Sequence, residues 1–105
     1  MSEYKFNTNC IQAGYKAESG QPQVLPIVQN TTYRYYNCED VAALFDLESA
    51  DFMYTRLGSP TVNALEEKMA ALEGGPAALA ASSGQAANLI PLQETCQARD
   101  HIIAW

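Results

Sequence analysis

At 105 residues the chain has room for one domain at most. With 48% apolar and 17% charged side chains, its composition is that of a folding chain and excludes disorder over most of its length. Six basic residues against twelve acidic ones, with Lys and Arg scattered, remove the footprint that a nucleic-acid backbone requires.

The apolar runs at 77–81 and 102–105 are far shorter than the roughly 20 residues of a membrane span, so no membrane association is expected. The start, Met1-Ser2-Glu3-Tyr4-Lys5-Phe6, has no apolar stretch behind a basic one, and a cytoplasmic location is expected. Cys10, Cys38 and Cys96 are odd in number, widely spaced and without a CxxC pair, which predicts reduced thiols rather than a disulfide framework. Together with the lone His101 they lack the paired spacing of a zinc site, and no metal is expected.

Residues 1–36 carry no sustained period and are punctuated by Gly14, Gly20, Pro22 and Pro26. This predicts an extended arm, ending in the Tyr33, Tyr35 and Tyr36 cluster. Such an arm must satisfy its backbone against another surface, such as another subunit. A first helix is expected after Asn37, with Asp40 near its positive end and Val41, Leu44 and Phe45 at helical spacing. Ser59 and Pro60 suit the cap and first position of a second helix. Val62, Leu65, Met69 and Leu72 form its apolar stripe, Glu66, Glu67, Lys68 and Glu73 its polar face, and Gly74-Gly75 its stop. Residues 77–81, Ala-Ala-Leu-Ala-Ala, read as a buried strand despite alanine's preference for helix. A third helix is expected from about Gly84 to Ala98, with Pro91 forcing a kink or stop near Ile90, and residues 101–105 read as the start of a second strand.

Two segments carry chemical signals. Ser82-Ser83-Gly84-Gln85-Ala86-Ala87 places small residues at a helix start, where free N–H groups and the helix dipole can receive a phosphate. The same residues also serve as an ordinary cap. In Tyr54-Thr55-Arg56-Leu57-Gly58-Ser59-Pro60-Thr61, a phenol and a guanidinium two apart on an extended segment point the same way and can grip one anion. The alternative is an Arg paired with a carboxylate and a Tyr packed in a loop.

These two segments, with Pro26-Ile27-Val28-Gln29-Asn30-Thr31-Thr32-Tyr33 before them and the run Leu65 through Gly75 between them, resemble the Cys/Met-metabolism pyridoxal-phosphate (PLP) enzymes. The four blocks stand in that family's order and cover nearly all of residues 8–88. Within it, the arm and residues 25–33 are most similar to the O-acetylhomoserine sulfhydrylase branch. The resemblance implies an α/β fold of the aspartate-aminotransferase type. Residues 1–36 would be the arm and 37–105 the incomplete start of the PLP-binding large domain, with its helices and first strands. It further implies that the backbone N–H groups of Gly84 and Gln85 hold the PLP phosphate. Tyr54 and Arg56 would reach the same phosphate in a neighbouring subunit of a dimer or tetramer.

The family also implies an amino-acid substrate and the formation of homocysteine from O-acetylhomoserine and sulfide, within methionine biosynthesis. Departures are Pro76, Pro91 and Arg99, the last standing where a glycine is usual. The resemblance implies a Schiff-base lysine far downstream of the cradle, whereas Lys5, Lys16 and Lys68 all precede it, so no catalytic residue is expected in this chain. The expectation is therefore an N-terminal piece of a sulfhydrylase, inactive alone. The competing expectation is a truncated, non-catalytic protein that docks with full-length homologues.

Overall fold

The structure is a computed structural model that describes residues 4–103. Four helices succeed one another along the chain: α1 Phe6–Gln12, α2 Cys38–Phe45, α3 Pro60–Glu73 and α4 Gly84–Thr95.

α3 forms as its punctuation dictates. Pro60 occupies the first turn, where its missing N–H leaves nothing unpaired. Gly74 takes the left-handed conformation at φ 69°, and its N–H returns to the Ala70 carbonyl. Ser59 is buried at 2% exposure, but its hydroxyl does not cap the helix; instead its N–H donates to Asn63 Oδ1 at 3.3 Å. α2 begins after Asn37 as expected, although Asn37 Nδ2 bonds Asp40 Oδ2 at 3.2 Å rather than capping a backbone N–H.

The arm is not extended throughout. Residues 6–12 wind into α1, begun by Thr8 and Asn9 N–H groups that both return to the Lys5 carbonyl, at 2.9 and 3.0 Å. Seven residues are too few to display a helical period, and a helix this short depends on packing rather than propensity. α1 packs on α3, the one helix pair in contact among the described residues. Gly14 permits this approach: its φ is +84°, and a Cβ there would stand 2.1 Å from the Ala64 carbonyl oxygen. Farther along, Thr61 Oγ1 accepts the Val28 N–H at 2.9 Å and donates to the Pro26 carbonyl at 3.1 Å. Part of the arm thus lies on its own chain.

α4 runs through Pro91 to Thr95, past the stop expected near Ile90 and short of Ala98. Pro91 removes the bond to the Ala87 carbonyl, but that turn faces water, which can replace it. Thr95 Oγ1 donates to the Pro91 carbonyl at 2.7 Å in the next turn. Arg99 sits at φ 88°, a region that favours glycine, so the arginine there carries backbone strain.

The two expected strands form no ladder. Among the described residues, sheet pairing consists of a single antiparallel bridge between Thr32 and Tyr54. Residues 77–81 are largely exposed, and Ala80 N–H donates to the Glu66 carboxylate at 2.7 Å. A strand exists through bonds to a neighbouring strand, and none lies beside this one. Residues 102 and 103 are likewise unpaired, and 104–105 lie outside the described residues.

The apolar core among the described residues is Leu44, Ala64 and Ala70. The stripe expected to be buried on α3 is open, with Leu65 at 52% and Met69 at 42% exposure. The radius of gyration is 17.4 Å, against about 13 Å for a compact chain of this size. The helices thus keep apolar faces turned outward.

Candidate functional site

Tyr54 and Arg56 stand where the end of the arm meets the segment before α3. Tyr33 N–H donates to the Met53 carbonyl at 3.3 Å and Thr55 N–H to the Thr31 carbonyl at 2.9 Å, one on each side of the Thr32–Tyr54 bridge. The Thr55 hydroxyl donates to the Asn30 carbonyl and also lies 3.3 Å from the Thr31 carbonyl. Behind this short ladder, Tyr33 stacks on Phe52 with ring centroids 5.6 Å apart, and the Tyr35 hydroxyl donates to the Phe52 carbonyl at 2.7 Å. Burial, and next the negative charge of Asp51 and then Asp40, raises the Tyr35 pKa above its ordinary 10.0. Asn30 Oδ1 and the Tyr33 hydroxyl oxygen are buried without a hydrogen-bond partner among the described residues.

Arg56 does not continue an extended segment. Leu57 and Gly58 N–H groups both close on the Tyr54 carbonyl, at 2.9 and 3.2 Å, which turns the chain at Arg56. The turn brings the pair together in another way. The Arg56 guanidinium lies over the Tyr54 ring, 5.3 Å from its centroid. Arg56 is exposed and makes no ion pair among the described residues, which leaves its fork of N–H donors available to an anion. The carboxylate pairing left open from sequence is therefore not the arrangement formed.

Gly84 and Gln85 open α4 as expected. Ser83 Oγ accepts the Ala86 N–H at 3.2 Å, and the Ser83 carbonyl accepts the Ala87 N–H at 3.0 Å. The first-turn N–H groups of Gly84 and Gln85 have no acceptor among the described residues and sit at the positive end of the helix. A Cβ built on Gly84 would meet nothing within 4 Å, so the approach to this backbone is open. Cap and cradle are compatible here, because the serine serves the third N–H and leaves the first two.

Among the described residues, no hydrogen bond or ring contact joins Tyr54 and Arg56 to Gly84 and Gln85. Two cavities lie elsewhere, between the arm and α3, and none of the four residues lines them. Sequence reasoning passed over Thr55 and Asn30 as site residues. Their signal was the run of short hydrogen-bonding side chains in Asn30-Thr31-Thr32, set against Tyr54-Thr55-Arg56. Among the described residues no group of His, Cys, Asp or Glu could hold a metal ion, and no helix is long and apolar enough to cross a membrane.

Residues 7–105 match the Cys/Met metabolism PLP-dependent enzyme family. The O-acetyl-L-homoserine sulfhydrylase 1 of Thermus thermophilus is 41% identical over 101 residues, which span 95% of this chain and 24% of that protein. The homocysteine/cysteine synthase of Kluyveromyces lactis is 39% identical, over 94% of this chain and 23% of its own length. An L-methionine gamma-lyase of Fusobacterium nucleatum is 40% identical over 96% and 26% respectively. Among solved structures, a Campylobacter jejuni protein described as an O-acetylhomoserine (thiol)-lyase, carrying pyridoxyl-lysine monophosphate, superposes with a TM-score of 0.83 at 30% identity. The superposition covers 93% of this chain and 24% of that one. The chain thus spans about a quarter of the length of these relatives.

Proposed function

The chain belongs to the Cys/Met metabolism PLP-dependent enzymes, and from that premise we propose that it is the N-terminal part of an O-acetylhomoserine sulfhydrylase, contributing half of a phosphate clamp to each of two cofactor sites. The fold is that of the aspartate-aminotransferase-like enzymes, here its opening portion. When bound, PLP supplies the electron sink for chemistry on an amino-acid substrate.

The observation that carries the reading is the open first turn of α4. Gly84 and Gln85 present two N–H groups without acceptors, beside a glycine whose Cα is approachable, at the positive end of a twelve-residue helix. This donor set fits a phosphate. Arg56 would supply the balancing charge and a bidentate contact, and Tyr54 a single hydrogen bond. Since the two pairs do not meet within the chain, the clamp is read as intersubunit, with Tyr54 and Arg56 serving the cofactor of a neighbouring copy. The fuller activity, homocysteine formed from O-acetylhomoserine and sulfide, rests on the similarity to sulfhydrylases; the lyase and cystathionine activities of the wider family are the alternatives that substrate assays separate.

The test is a hybrid in which residues 7–105 replace the matching stretch of the Thermus thermophilus sulfhydrylase. It is expected to retain PLP and to release homocysteine from O-acetylhomoserine and sulfide. Arg56→Ala should weaken PLP binding by about 1.5–3 kcal/mol, the worth of hydrogen bonds to a charged group, and Tyr54→Phe by about 0.5–1.5 kcal/mol. A hybrid that melts like the parent enzyme but makes no homocysteine would overturn the substrate reading. Unchanged PLP affinity in Arg56→Ala would overturn the clamp.

A further inference from the structure

We infer that Thr55 is the positioning residue of the phosphate clamp: it locks the Tyr54–Arg56 turn to residues 30–33 of the arm and thereby aims the guanidinium. The inference rests on the clamp reading and concerns a residue that touches no phosphate itself. Two bonds from Thr55, and the bridge that one of them closes, carry it. Thr55 N–H donates to the Thr31 carbonyl at 2.9 Å, its hydroxyl donates to the carbonyl of Asn30, and the adjoining bridge joins Tyr54 to Thr32. Thr55 is therefore tied to the arm through both its backbone and its side chain, at the position between the two residues of the clamp.

Beyond Thr55, the turn is closed by the Tyr54 carbonyl, which receives the N–H groups of Leu57 and Gly58. Arg56 is exposed, and among the described residues its side chain is oriented by the Tyr54 ring alone. A flexible guanidinium grips an anion well only if its backbone origin is fixed, because ordering a long side chain costs rotamer entropy. The hydroxyl of Thr55 is the side-chain contact nearest in sequence that fixes it. A valine at 55 keeps the shape of threonine and removes the bond, leaving the Asn30 carbonyl without this donor.

The experiment uses the hybrid holoenzyme stripped of cofactor and titrated with PLP and, separately, with pyridoxal, which lacks the phosphate. Thr55→Val is expected to raise the PLP dissociation constant about threefold to tenfold, the effect of one hydrogen bond. Its affinity for pyridoxal should stay within about twofold, and Thr55→Ser should restore PLP binding. Thr55→Ala replaces the valine variant if the latter loses helical circular dichroism. Equal losses for PLP and pyridoxal would mean a merely structural role and overturn the inference, as would unchanged PLP binding in Thr55→Val alongside a loss in Arg56→Ala. If Arg56→Ala itself leaves PLP binding unchanged, the clamp reading fails and the positioning role falls with it.

Discussion

Replacing Gly14 by alanine should detach the arm from α3. Two costs combine at this position. The backbone sits at φ +84°, where any side chain on an L-residue loses about 1–2 kcal/mol. The new Cβ would also stand 2.1 Å from the Ala64 carbonyl oxygen and 3.0 Å from Lys68 Cβ. The first of these is backbone in the middle of a helix and cannot swing aside, so the arm must retreat by roughly an ångström, a displacement of the kind that costs about 1–3 kcal/mol in packed sites. The total is about 2–5 kcal/mol, and it falls on the α1–α3 contact. Gly20→Ala is the internal control. Its φ of +85° carries the same backbone strain, while its Cβ would meet nothing within 4 Å. Thermal melts of the hybrid, combined with hydrogen exchange of the amides in α1, measure both variants. Gly14→Ala should lose amide protection in α1 and melt well below Gly20→Ala. Equal behaviour of the two would refute the close approach of arm and helix.

Two further outcomes are expected. The raised pKa of Tyr35 means that the fold favours the neutral phenol, which donates to the Phe52 carbonyl. Its contribution is therefore fully present below pH 10 and is lost as pH rises through the higher folded value; a phenolate absorbance titration of the hybrid against Tyr35→Phe reads it, and ionisation at or below the ordinary value would contradict the assignment. The 105-residue polypeptide treated with PLP and borohydride should yield no stoichiometric pyridoxyl adduct at a single lysine, since Lys68 lies on α3, which does not pack against α4, and Lys5 and Lys16 are exposed on the arm. Mass mapping of one fully labelled lysine would disprove this.

The open apolar faces belong to a chain that spans about a quarter of its relatives' length. Leu79 at 70% and Ile103 at 90% exposure lie in the two expected strands, which a covered parallel sheet buries, and Leu89 at 52% lies on α4. Residues 77–81 are patterned for that setting. Among the described residues they have no neighbouring strand, and the Ala80 N–H goes to the Glu66 carboxylate of α3 instead, so their composition reads correctly as apolar and wrongly as a formed strand.

Local chemistry was enough to determine α2, α3 and the start of α4. Asn37, the Ser59-Pro60 pair, Gly74 and Ser83 act through the few residues beside them, and such signals need no partner. The order of the four blocks was enough to point to the family that residues 7–105 match. Tertiary structure alone decided α1, because seven residues carry no period and α3 supports them. It also decided the passage of α4 through Pro91, where exposure to water makes the lost bond cheap. The geometry of Tyr54 and Arg56 belongs to the same class. Sequence spacing set the two side chains parallel on an extended segment, whereas the bonds from Leu57 and Gly58 to the Tyr54 carbonyl turned the chain and laid the guanidinium on the ring. The ties of this segment to residues 30–33 span twenty or more positions, and a contact across that separation leaves no periodic trace in either segment.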